Sequence, residues 1–166
     1  MKTTHPRLFP IVLLLSLVTG VALAEKPSDE HALKGLASGK VAWDINMGSA
    51  YKLKGYLKVM AETYDDLQRQ GVEPDMIFTF RGPSVRLITE DLAGVPMDEE
   101  ADHEEIAEQV RALLARPNVR MEACSIAVRL AGIDDQTLLP GIALVGNTFV
   151  SQIGYQAKGY ASIPIM

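Results

Sequence analysis

From residue 40 onward, short apolar runs and amphipathic stretches alternate about five times, with turn residues between them. KVAWDINM (40–47) has the length and apolar content of a strand, and Gly48-Ser49 ends it. YKLKGYLKVMAETYDDLQRQG (51–71) carries Leu53, Tyr56 or Leu57, Met60, Tyr64 and Leu67 at spacings of three and four. That period predicts a helix, with Ser49 as its cap and Gly71 as its stop. DMIFTF (75–80) is a second strand, followed by the turn Arg81-Gly82-Pro83-Ser84, a short helix in VRLITEDL and a loop in GVPMDEEAD. HEEIAEQVRALLA (103–115) is a second long amphipathic helix. VRMEAC and SIAVRLAG (119–132) form the next strand and helix, and DDQTLLPG a loop. IALV (142–145) and NTFVSQIGYQAKG are a further strand and helix, and YASIPI closes the chain as a strand that Pro164 confines to an edge or an end. Such alternation predicts a mostly parallel sheet of about five strands with helices on both faces, a flavodoxin-like, doubly wound three-layer α/β domain.

The segment before residue 40 reads differently. Lys2 and Arg7 precede the apolar run LFPIVLLLSLVTGVALA (8–24), which ends in Ala22-Leu23-Ala24. A basic start, a short apolar stretch and an A-x-A ending are the marks of a cleaved signal peptide, so residues 1–24 are expected to be a leader and the protein periplasmic. The run is short for a membrane span and carries Pro10 and Gly20. Residues 25–39 are a polar lead-in, and residues 40–166 the α/β domain.

Charge narrows the function. The sixteen basic residues lose Lys2 and Arg7 with the leader while the twenty-one acids lose none, so the net charge falls from −5 to −7. No basic cluster remains, which argues against a nucleic-acid partner and against a polybasic membrane patch after cleavage. No phosphate loop or G-x-G-x-x-G is present. DHEE (102–105) has ligand-like residue types, but acids at a helix start are explained by the helix dipole, and no metal site is expected. No organic cofactor is required either.

In open α/β sheets ligands bind at the carboxyl ends of the strands. Three such ends stand out: Ile45-Asn46-Met47-Gly48-Ser49, Phe80-Arg81-Gly82-Pro83-Ser84 and Ala123-Cys124-Ser125. Cys124 is the only cysteine, and it lies where a strand hands over to a helix. Backbone N–H groups there stabilise a thiolate, the setting of a nucleophile; the competing reading is a small buried residue in the last turn of a strand. Arg81 is the candidate cationic neighbour if the second and third strand ends are adjacent. Gly82 and Ser125 flank the same ends, and Asn46 and Ser49 can donate to an anionic sulfur group or serve only as turn and cap.

The order of elements, with one cysteine after the third main strand, resembles the DsrE/DsrF-like sulfur-relay family. TFRGPSVRLI (79–88) looks like its strand–Gly–helix segment, VRMEACSIAVRLAGI (119–133) like its cysteine segment, and LLPGIALVGNTFVSQIGYQAKGYASIPI (138–165) like its C-terminal strand, helix and Gly-Tyr strand. The resemblance implies a homo-oligomer (dimer, trimer or hexamer) in which Cys124 carries a persulfide between donor and acceptor proteins. A signal peptide departs from the family's usual cytoplasmic setting. The alternative is a non-catalytic small-ligand-binding or assembly module with a buried structural cysteine. A third reading is a thiol-redox protein forming mixed disulfides.

Overall fold

The structure is a computed structural model that describes Met1 and residues 26–166. Apart from Met1, the expected leader lies outside the described residues. The elements run α1 (Glu30–Leu33), β1 (Ser38–Ile45), α2 (Ala50–Arg69), β2 (Glu73–Phe80), a 3-10 turn (Gly82–Leu87), α3 (Met97–Leu114), β3 (Val119–Cys124), α4 (Ser125–Ala131), a second 3-10 turn (Asp135–Thr137), β4 (Ile142–Val145), α5 (Thr148–Ala157) and β5 (Ala161–Ile165). All five strands are parallel, in the order β4-β3-β2-β1-β5. Helices cover both faces, as the alternation predicts.

From β1 to β4 the chain steps in one direction across the sheet. Right-handed crossovers therefore place α2, α3 and α4 on one face. After β4 it returns to the far edge, beside β1, and α5 is carried to the opposite face. The first face is apolar. Val41, Trp43 and Ile45, Met76, Phe78 and Phe80, and Met121 and Ala123 alternate along three strands and meet Leu53, Leu57, Met60 and Tyr64 of α2 and Ile106, Val110 and Leu113 of α3. Burial of these side chains is the main stabilising term of the domain, at about 1.5–3 kcal/mol for each large one.

The second face has a different chemistry. Its apolar cluster is small: Ala42, Ile77 and Tyr160, with Tyr155 against them. Helix α5 is fastened mostly by polar groups. Gln152 Nε2 donates to Thr79 Oγ1 at 2.8 Å, and Ser162 donates to Gln152 Oε1 at 3.1 Å. The Tyr155 hydroxyl donates to Glu122 Oε1 at 2.5 Å. Tyr160 donates to Asp75 at 2.6 Å, and the two tyrosine rings meet edge to face with centroids 5.2 Å apart. Phe149, Val150 and Ile153 on the same helix remain exposed.

Several boundaries differ from the sequence reading. Helix α3 begins at Met97 rather than at 103, so MDEEAD of the expected loop is helical. That segment has no apolar period; Asp98, Glu99 and Glu100 in the first turn suit the positive end of the helix dipole instead. The expected helix in VRLITEDL is only the end of the first 3-10 turn, because Thr89 leaves it to bridge Leu138. Strand β1 is shifted two residues toward the N-terminus and takes Ser38 and Gly39 from the lead-in. Pro164 does sit in an edge strand, where its missing N–H costs no ladder bond to a further strand.

Burial, and then the bond to Glu122, push the Tyr155 hydroxyl up to about 12. An unfolded tyrosine ionises near its ordinary value of about 10. Between these values the native state holds a proton that the unfolded chain has lost. Stability from this group is present below about pH 10 and declines as pH rises toward 12. Urea unfolding from pH 9 to 11 should show that decline, by roughly 1–2 kcal/mol, and Tyr155→Phe should lessen it, leaving the part contributed by Tyr160, which burial and its bond to Asp75 also raise.

Candidate functional site

The candidate site is built where the connections of two neighbouring strands leave for opposite faces. Strand β3 passes directly into α4, while its neighbour β4 passes through Gly146-Asn147 into α5. Such a divergence opens a crevice at the carboxyl edge of a parallel sheet. Cys124, the last residue of β3, has extended backbone and stands at the N-cap of α4. Along β3 it shares the α5-facing side with Glu122, by strand alternation. Two helix N-termini, of α4 and of α5, thus converge on one sulfur.

Burial pushes the Cys124 thiol up, but hydrogen-bond donors outweigh it. The backbone N–H groups of Thr148 and Ala127, the Thr148 hydroxyl and the Ile126 N–H act on the sulfur, and the thiol lies below its ordinary value. Thr148 is 1% exposed, and its Oγ1 makes no hydrogen bond to a described residue. The hydroxyl is placed to stabilise the charge of the Cys124 sulfur when the thiol ionises. Asn147 holds this turn by accepting from the Phe149 N–H at 2.9 Å. The thiol itself is 6% exposed, yet it lines an open cleft of about 430 Å³.

Arg81 reaches the same cleft from the end of β2. Asp44 of β1 grips it in a bidentate pair at 2.7 and 2.8 Å, and its guanidinium lies 5.1 Å from the centre of the Phe149 ring. The bond to Asp44 and, more weakly, the Cys124 charge raise it above the ordinary arginine value. The pair holds one cation in place beside the sulfur. The expected adjacency of the second and third strand ends is met, since β2 pairs with β3.

Gly82 lines the cleft with φ of +55°, and a Cβ there would lie 2.1 Å from Asn46 Oδ1. Both the backbone and the space demand glycine. Of the six residues singled out from the sequence, Cys124, Arg81 and Gly82 come together in this cleft. Asn46 packs on Gly82 and is not among the lining residues. Ser49 caps α2 by accepting from the Lys52 N–H at 3.3 Å. Ser125 donates to the Gly146 carbonyl at 2.9 Å and ties the two diverging ends together. These three are positioning groups, the turn-and-cap role weighed for Asn46 and Ser49.

Sequence reasoning passed over Asp44, Thr148, Phe149 and Arg86. Asn147-Thr148 after an apolar strand carries the signal of a helix cap. Its nearness to Cys124, however, depends on β4 lying beside β3, which no local pattern states. At DHEE, Asp102 and Glu105 pair with Lys54 and Lys58 of α2, and His103 is buried. Among the described residues no three His, Cys, Asp or Glu side chains are grouped to hold a metal.

The model of the DsrE/DsrF-like family matches residues 45–164, which include every residue of the Cys124 cleft. The chain belongs to the DsrE/DsrF-like family. An uncharacterized protein of Aquifex aeolicus (strain VF5) is 25% identical over 125 residues, 75% of this chain and 55% of that relative. The chain therefore spans about half the length of the curated relative it matches. Among solved structures, the protein of unknown function MTH1491 from Methanobacterium thermoautotrophicum shares the fold at a TM-score of 0.57 and 20% identity, over 77% of this chain and 100% of that one. The ychN protein from E. coli does so at 0.53 and 14% identity, over 77% and 99%.

Removing the Thr148 hydroxyl from this family member removes one donor to the thiolate. A hydrogen bond to a thiolate favours the ionised form, so Thr148→Val should raise the pH midpoint of Cys124 alkylation. Thr148→Ser should restore it. Iodoacetamide rates between pH 6 and 10 give the comparison.

Proposed function

We propose that this protein carries sulfane sulfur as a persulfide on Cys124. The observation that supports it best is the environment of the sulfur: a low-lying thiol at the floor of an open cleft, facing donors from two helix N-termini. A thiolate is the attacking species in sulfur exchange, and a thiol of lowered pKa is also the better leaving group when the sulfur is passed on. Cys124 Sγ attacks the outer sulfur of a donor persulfide, the donor S–S bond breaks, and the donor leaves as a thiolate. An acceptor thiolate then attacks the same outer sulfur and releases Cys124. Arg81, pinned by Asp44, faces the negative charge through both steps. Membership of the DsrE/DsrF-like family fits this reading.

The same proposal includes export through the leader at 1–24 and assembly into a homo-oligomer. The exposed Phe149, Val150 and Ile153 of α5 support a contact between copies. A second reading has one observation in its favour. Cys124 is buried by area, and the cleft walls at Ile126, Leu130 and Phe149 are apolar, which suits a module that binds a small apolar ligand without transferring anything.

Intact-protein mass spectrometry separates the two. After incubation with polysulfide, the wild type should gain one or more sulfur atoms and Cys124→Ser none. A folded wild type that gains nothing, with a thiol that also refuses alkylation, would leave the binding module. The exported protein should also show a mass that begins at Glu25.

A further inference from the structure

The Cys124 cleft shares a wall with another. Pro83 and Arg86 line both it and a second cleft of about 320 Å³, bounded by Gly48, the segment from Leu87 to Pro96, the start of α3 and the end of α4. Its charged groups are of both signs: Arg86 from the 3-10 turn, Asp91 from the following loop and Glu99 from α3. They do not neutralise one another. Arg86 donates to the Ala131 carbonyl at 2.7 Å, and no ion pair within 4.0 Å joins it to any carboxylate among the described residues. Asp91 spends one oxygen on the Ala93 N–H, and Glu99 makes no side-chain bond to a described residue. His103 lines the same space, is 6% exposed, and its Nδ1 is buried without a partner. A buried polar atom left unpaired costs about 1–3 kcal/mol, so a polar partner at this end of the cleft would be favoured.

Opposite charges that border one small space and stay apart suit a ligand carrying both signs itself. An ammonium group matches Glu99 and Asp91, and a carboxylate matches Arg86 and the imidazole of His103. Because Pro83 and Arg86 border both clefts, a ligand whose carboxylate is held by Arg86 lies next to the Cys124 cleft. Resting on the sulfur-carrier reading above, we propose that the second cleft binds the zwitterionic head of a low-molecular-weight, amino-acid-type thiol, and that its persulfide is the donor to Cys124. The step is the exchange R–S–SH + Cys124–S⁻ → Cys124–S–SH + R–S⁻. One S–S bond forms and one breaks, the outer sulfur changes carrier, charge is conserved, and no external oxidant or reductant is consumed. The released thiolate takes its proton from water.

The test uses two readouts on the mature protein, with unchanged thermal melts as the check on folding. The first is the rate of Cys124 loading by cysteine persulfide relative to inorganic polysulfide. Wild type should prefer the amino-acid donor, and Glu99→Gln should lower that preference about tenfold, the equivalent of 1.4 kcal/mol. The second is binding of S-methylcysteine to Cys124→Ser by ligand-observed NMR, which needs no sulfur transfer. Saturable binding that Glu99→Gln weakens about tenfold supports the head-group site. Equal loading by both donors in wild type and variant, or no binding of S-methylcysteine, overturns it even if polysulfide loads Cys124. Binding with no loading from any donor overturns sulfur carriage and leaves the head-group site standing.

Discussion

One reversal of the chain determines the carboxyl edge of the sheet. Up to β4 each strand is laid beside the last, and every crossover covers the same face. The return from β4 to the edge beyond β1 forces α5 across the other face, so that α4 and α5 begin next to each other but leave in opposite directions. A strand that ends at such a divergence has donors above and below its last residue and nothing ahead of it. Cys124 is that residue. Without the reversal, the sulfur would face the N-terminus of α4 alone, and burial would act on it with less opposition.

The two faces of the sheet divide the work. The face under α2 and α3 is continuous hydrocarbon and supplies the stability on which the rest stands. The face under α5 is a set of directed contacts: Thr79 with Gln152, Glu122 with Tyr155, Asp75 with Tyr160, and Asp44 with Arg81. Directed contacts fix angles and distances in a way that apolar contact does not, which suits a face that has to hold a guanidinium near a sulfur. The cost is an incomplete apolar cover, seen in the bare outer side of α5.

How much of this could be read from the sequence follows from the range of each interaction. The α2 helix is legible because Leu53, Leu57, Met60 and Tyr64 all point at one surface, and period alone reports that. The start of α3 is not, since Asp98, Glu99 and Glu100 serve the helix dipole and leave no apolar mark. Cys124 and Arg81 were legible as strand ends. Asp44 was not, because its partner is 37 positions away and one strand over. Thr148 was hidden for the same reason: its role exists only once β4 is known to flank β3. Ser49 and Ser125 share the residue type of a ligand-binding group, but the nearest donor or acceptor takes their hydroxyls first.

The polar fastening of α5 has a thermodynamic side. Thr148 is the first residue of that helix, and its N–H and hydroxyl face the Cys124 sulfur. Ionising the thiol therefore tightens the helix onto the sheet, and by reciprocity anything that holds the helix down favours the ionised thiol. A contact on Phe149, one position along the same turn, would act on the sulfur without touching it.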